Sequence, residues 1–213
     1  AQVVVKPVKP KRQVINESGK PAEKSLTVDA KVNISLCVTE GNIKVHGWDR
    51  NEIRAYISDG GSKVGFKILQ KSKQNENPVW VMVVGFDPSE TSRIEPEECL
   101  SGDEIELDVP RGATVNIKSR ESKTTIDSVG KVRVDNIGGD IFLNNISNGI
   151  EAATRQGGVT VSRSSGAMVL STNEGNIVAF DVSPSEIGDF FKAKTSNGTI
   201  TLQEIEHRQI EAN

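Results

Sequence analysis

Slid against itself, the second half of this 213-residue chain aligns Gly139, Gly157, Gly175 and Gly198, separated by 18, 18 and 23 residues. Other positions keep the same offsets. Two residues after each glycine stand Ile141, Val159, Ile177 and Ile200, then Leu143, Val161, Ala179 and Leu202, then, three further on, Ile146, Ser164, Val182 and Ile205. Ahead of the glycines run Val134, Ala152, Leu170 and Ala193, followed by Asn136, Thr154, Thr172 and Thr195. Residues 115–130 fit as a copy one residue shorter, and extra residues near Pro184 explain the 23-residue step. One copy alone holds too little apolar surface to fold, whereas stacked copies bury a continuous core.

Within each copy the apolar residues alternate with polar ones, the period of a half-buried strand. Residues 184–191 are the main helical candidate, as one turn after the proline. The reading is therefore all-β: a parallel β-solenoid of roughly 18-residue coils. Leu36–Val45 repeats the phrase of Leu170–Ala179, so a first coil lies early in the chain. Residues 53–109 hold longer alternating strands that suit an antiparallel meander capping the open coil end. The expected organisation is an extended arm over 1–25, rich in proline and lysine, then a β region with the first coil over 26–110. Regular coils follow over 111–213, and 26–213 reads as one continuous domain.

Two phrases carry a resemblance. Gly41-Asn-Ile-Lys-Val-His-Gly-Trp48-Asp49-Arg50-Asn51-Glu52-Ile53 and Leu107-Asp-Val-Pro110-Arg111-Gly112-Ala-Thr-Val115, followed by Gly-x-Ile-x-Leu coils, resemble the bacterial putative-adhesin family, over roughly residues 30–205. That family is a domain-of-unknown-function group of exported and envelope-associated β-repeat proteins. The resemblance implies a β-solenoid in a cell-surface or periplasmic setting and no catalytic residues. Ser122 departs from the pattern, standing where later coils have glycine.

Composition narrows the function. With 26 basic against 29 acidic side chains the formal charge is −3, so nothing suggests a nucleic-acid partner. No run of 18 apolar residues offers a membrane-spanning helix. Ala1-Gln2 suits the mature side of a signal-peptide cleavage site, as would a trimmed terminus. Cys37 and Cys99 are a candidate disulfide in an exported protein and two thiols in a cytosolic one.

The candidate sites are weak. Glu95, Glu97, Glu98, Asp103, Glu104, Glu106 and Asp108 crowd around Cys99, but their spacing matches no calcium loop, and a solvated acidic loop is the simpler reading. His46 and His207 lack partners at ligand spacing and read as surface histidines. Asp49 and Arg50 beside Trp48 read as an ion pair or turn locking the first coil. Ser164 and Ser165 have no histidine close in sequence. A polysaccharide lyase on a β-helix needs stacked carboxylates beside basic residues. The outward columns Lys118, Asp135, Ala153, Ser171, Lys194 and Asn116, Arg133, Glu151, Val169, Lys192 scatter their charges instead.

One outward column, Thr125, Phe142, Thr160, Val178 and Thr201, carries no charge. It is either a docking stripe for a partner or second copy, or strand propensity, or a face that an N-terminal strand covers. The expected function is a non-enzymatic envelope adhesin or interaction module with a protein or glycan partner and no cofactor or metal. A carbohydrate-active enzyme and a structural spacer are the alternatives.

Overall fold

The computed structural model describes residues 22–58, 63–86 and 99–213. Seventeen strands and no helix occur among them, joined in one sheet with mostly parallel pairings. No helix there is long and apolar enough to cross a membrane. The proline-led segment expected as a helical turn is a bend at residues 185–186 followed by a turn at 187–188, with Asp189 N donating to the Glu186 carbonyl at 3.3 Å, and not helix. The Asp189 carboxylate closes it, accepting from Ser185 N and Glu186 N, each at 2.9 Å.

Two ladders account for the pairings. In the first, β8 (Thr124–Asp127), β10 (Ile141–Asn144), β12 (Val159–Ser165), β14 (Ile177–Ser183) and β16 (Ile200–Ile205) stack in parallel, through Thr124↔Ile141, Ile141↔Val159, Val159↔Ile177 and Ile177↔Ile200. In the second, β7 (Thr114–Glu121), β9 (Lys131–Gly138), β11 (Ile150–Gln156), β13 (Met168–Glu174), β15 (Phe191–Asn197) and β17 (Ile210–Ala212) stack likewise. These partners are the residues that the repeat aligns, including the short step at residues 115–130 and the long one at Pro184. Like residues sit above one another at the parallel-strand spacing, about 4.8 Å.

The long strand β2 (Asn33–Trp48) serves both ladders. Asn33–Val38 pairs with β7, Ile43–His46 with β8, and Gly41, at φ +124°, lies between. It is the first coil, directly beneath residues 114–127. The chain from Asp49 to Ala113 leaves that coil and returns to it.

This excursion differs from a simple antiparallel cap. β1 (Ala22–Thr27) lies antiparallel on β3 (Glu52–Ser58), and β3 antiparallel on β6 (Leu100–Pro110), but β6 runs parallel to β2. β4 (Lys63–Lys71) and β5 (Pro78–Phe86) form an antiparallel pair whose inner member also runs parallel to β2. Each ladder thus extends beyond the first coil before its direction reverses. Residues 22–25, read as part of the arm, are in β1; residues 1–21 lie outside the described residues.

Inward residues of both ladders form a single buried cluster. Within it a hydroxyl column ties coil to coil: Thr154 Oγ1 donates to the Gly139 carbonyl, Thr172 to that of Gly157 and Thr195 to that of Gly175, at 3.3, 2.8 and 2.9 Å. Asn136 takes the equivalent place below, donating to the Ser122 carbonyl at 3.1 Å. A buried carbonyl left unpaired is costly, so threonine or asparagine before the glycine satisfies a group that the turn leaves over.

A second column was hidden. Ser128, Asn145, Arg163, Asp181 and Glu204 all have positive φ, between 44° and 60°. They occupy the same place in successive coils, where the inward spacing lengthens from two residues to three. The extra residue kinks the strand so that Ile146 and its counterparts return to the core.

Candidate interaction surface

The uncharged column stands on the outer face of the first ladder. Thr125, Phe142, Thr160, Val178 and Thr201 pair in that order, below them Lys44. Phe142, Thr160 and Val178 are half-buried, while Thr125 and Thr201 are exposed. The Lys123 ammonium sits 5.2 Å from the Phe142 ring centre. The described N-terminal strands do not cover the column, because β1 and β3 extend the same ladder edge to edge.

A polar ladder flanks the stripe. Asp127, Asn144, Ser162, Phe180 and Gln203 stack beside it. The Asp127 carboxylate accepts from Asn144 Nδ2 and, at 2.7 Å, from Ser128 Oγ, and pairs with His46 Nδ1 at 3.3 Å. Ser162 Oγ donates to Asn144 Oδ1 at 2.9 Å. Partial burial pushes the Asp127 carboxyl up, but hydrogen bonds from Ser128 and Asn144 and the charge of His46 outweigh it and hold the group below its ordinary range. Phe180 is 38% exposed. The face is thus fixed in shape by side-chain bonds between coils, with two aromatic rings accessible.

Beyond the stripe charge returns in pairs. Lys44 bonds Glu104 and lies 3.7 Å from Glu106, and Arg54 Nη2 lies 2.6 Å from Asp108 Oδ2. On the second ladder the two charge-scattered columns stack as aligned, and Arg133 pairs with Glu151 at 3.2 Å.

The remaining candidates have structural roles. Trp48 pairs with Pro110, Arg111 N donates to the Trp48 carbonyl, and the Arg111 side chain donates to Asp49 Oδ1 at 2.8 Å. The Gly-Trp-Asp-Arg and Val-Pro-Arg-Gly phrases thus clasp each other where the excursion begins and ends, while Arg50 lies over the Trp48 ring. Ser164 is buried and donates to the Ser162 carbonyl, and Ser165 donates to that of Ser147. Cys37 and Cys99 form a disulfide, which ties β2 to the start of β6. Glu95, Glu97 and Glu98 lie outside the described residues. Asp103, Glu104, Glu106 and Asp108 are on β6, and among the described residues no three His, Cys, Asp or Glu side chains converge to hold a metal.

One expectation is corrected. His207 is a buried histidine, 5% exposed, with Nε2 2.9 Å from the Gly166 carbonyl and its ring 5.9 Å from that of Phe191. The alternation that carries Ile205 inward also carries His207 inward. His46 is exposed, as read, but has an acidic partner in Asp127, supplied by the next coil rather than by neighbours in sequence.

Comparison with known proteins gives structural likeness alone. No family model and no curated protein matches the chain. Solved structures do. A "putative cell adhesion protein" from Clostridium sporogenes is similar over 86% of this chain and 99% of its own, at 10% identity and a TM-score of 0.42. A "putative lipid binding protein" from Parabacteroides distasonis is similar over 92% and 97%, at 7% identity and a TM-score of 0.35. A "putative adhesin" from Bacteroides fragilis matches over 91% and 97%, at 15% identity and a TM-score of 0.29.

Proposed function

We propose that this chain is a non-enzymatic interaction module of the exported, cell-envelope kind, a β-solenoid of roughly 18-residue coils that binds a surface partner, protein or glycan, through the uncharged stripe. The observation that carries this reading is the stacking of Thr125, Phe142, Thr160, Val178 and Thr201 on one face that no described strand covers. Aromatic side chains on a preorganised surface are the usual anchors of an interface, and Phe142 and Phe180 are placed for that. The disulfide supports an oxidising compartment.

Lys in place of both Phe142 and Val178 tests the reading. Both side chains point outward, so the melt should shift by a few degrees at most while retention on envelope material falls. Binding unchanged in a variant that melts like the parent refutes the stripe as the interface and leaves the spacer reading.

A further inference from the structure

A groove of about 870 Å³ opens where the glycines stack, between the two ladders, and its lining includes Glu40, Asp103, Glu121, Ser122, Lys123 and Ile137. We propose that its occupant is the basic segment of this chain that precedes β1. The groove adjoins the stripe at Lys123, but its occupancy is read by cross-linking rather than by retention on a partner, so it is tested independently of the function above.

Charge is the first argument. Elsewhere on β2, β3 and β6 carboxylates are paired: Glu104 and Glu106 with Lys44, Asp108 with Arg54, and, past the end of β2, Asp49 with Arg111. Glu40, Asp103 and Glu121 are exposed, and among the described residues none of the three is in an ion pair. The one cation of the lining, Lys123, sits over Phe142. The segment ahead of Ala22 carries Lys6, Lys9, Lys11, Arg12 and Lys20 against Glu17 alone.

The lining also holds an unsatisfied group. Ser122 is 4% exposed, and among the described residues no atom pairs with its Oγ. Buried hydroxyls are rarely left so, and a polar group entering the groove removes that cost.

Chain direction supplies the third argument. Ala22 pairs with Ile57, Ile57 with Ile105, and Ile105 with Ile43. β1 is antiparallel to β3 and β3 to β6, so β1 runs parallel to β6 and β2. The residues before Ala22 therefore enter from the side of Asn42 and Asp103, the rim of the groove. From β1 to β2 is three strand spacings, about 14 Å, and an extended chain covers about 3.3 Å per residue. At that rise the segment is long enough for Lys20 to meet the β6 wall and for Lys11 and Arg12 to meet the coils beyond. Pro7, Pro10 and Pro21 favour the extended conformation that lies along a groove.

Zero-length carbodiimide cross-linking of the full chain, with isotope-labelled and unlabelled protein mixed, tests this. The expected products join Lys9, Lys11 or Lys20 to Glu40, Asp103 or Glu121 within one chain, and their yield falls several-fold in 0.5 M salt as the charges are screened, the Debye length then being roughly 4 Å. Glu40→Lys with Asp103→Lys and Glu121→Lys should remove them, and adding Lys11→Glu and Arg12→Glu should restore cross-links in the reversed sense. Cross-links spread over surface carboxylates without preference, or a pattern indifferent to charge reversal, overturn the proposal. Products joining labelled to unlabelled chains overturn it in favour of a second copy. If the reversed variants fail to fold, the salt series on the parent chain still decides.

Discussion

Replacing Gly157 with alanine isolates the contact on which close coil stacking depends. Its φ is +138°, and a Cβ built there would stand 2.4 Å from the carbonyl oxygen of Gly139, whereas real Cβ atoms essentially never come within 3.0 Å. The neighbour is backbone, so the two coils must part locally by about the difference, 0.6 Å. Between these two coils Gly139 N donates to Gln156 O at 2.8 Å and Ile141 N to Gly158 O at 2.9 Å. Adding 0.6 Å to such bonds takes them past the usual limit of about 3.2 Å. Each weakened bond costs about 0.5–1.5 kcal/mol. The backbone conformation, poorly tolerated by an L-residue, adds about 1–3 kcal/mol, so with both bonds weakened the total expected is about 2–6 kcal/mol. Gly188 is the control, since it has φ +102° but nothing within 4 Å of a built Cβ. Chemical denaturation of both variants separates steric stacking from backbone strain. Gly157→Ala no more destabilising than Gly188→Ala would refute the reasoning.

Three further outcomes follow from the core, the disulfide and the polar ladder. Ile141→Asp places an unpaired carboxylate at a fully buried position, so the circular-dichroism melt should fall by far more than for an exposed substitution, and an unchanged melt would disprove the register. A thiol assay on unreduced protein should find no free cysteine. Reduction should lower stability by about 2–4 kcal/mol, since the bridge closes a 62-residue separation, and equal stability before and after would show that it constrains nothing. Asp127 has a folded-state carboxyl held below its ordinary range, so its contribution is present at neutral pH and lost as pH falls through the lowered value. Asp127→Asn should therefore flatten part of the acid limb of the stability profile, and an unaltered limb would show that the ladder carries no such linkage.

Much of the fold was legible because stacking makes like residues neighbours. The columns of Ile141, Leu143 and Val134 are aligned in the sequence and paired in the sheets for the same reason, that each coil must offer its neighbour a matching surface. The excursion was only half legible. Alternation in residues 53–109 marks strands without saying whether they run parallel or antiparallel to the first coil, and that direction is decided by pairing with residues far along the chain. The kinked column at Ser128, Asn145, Arg163, Asp181 and Glu204 shares no residue type, so it left no composition signal. Its trace was the three-residue step between Leu143 and Ile146. The stripe was visible as a column, but the groove was not, because Glu40 and Glu121 meet through the pairing of β7 with β2, and Asp103 joins them only through the return of β6 onto β2.

The claim that everything else rests on is that successive coils climb one strand spacing at a time from β2 to β16. Spin labels at cysteines replacing Lys44, Thr125, Val178 and Thr201, taken in pairs, test it by double electron–electron resonance while the native disulfide leaves no other free thiol. Lys44 and Thr201, 157 positions apart in sequence, are separated by five steps of the ladder, and Thr125 and Thr201 by four. At about 4.8 Å per step the backbone separations are roughly 24 and 19 Å. The account predicts narrow distributions in that order, with Lys44–Val178 matching Thr125–Thr201. Distances that fail to rise with the number of intervening coils would contradict it.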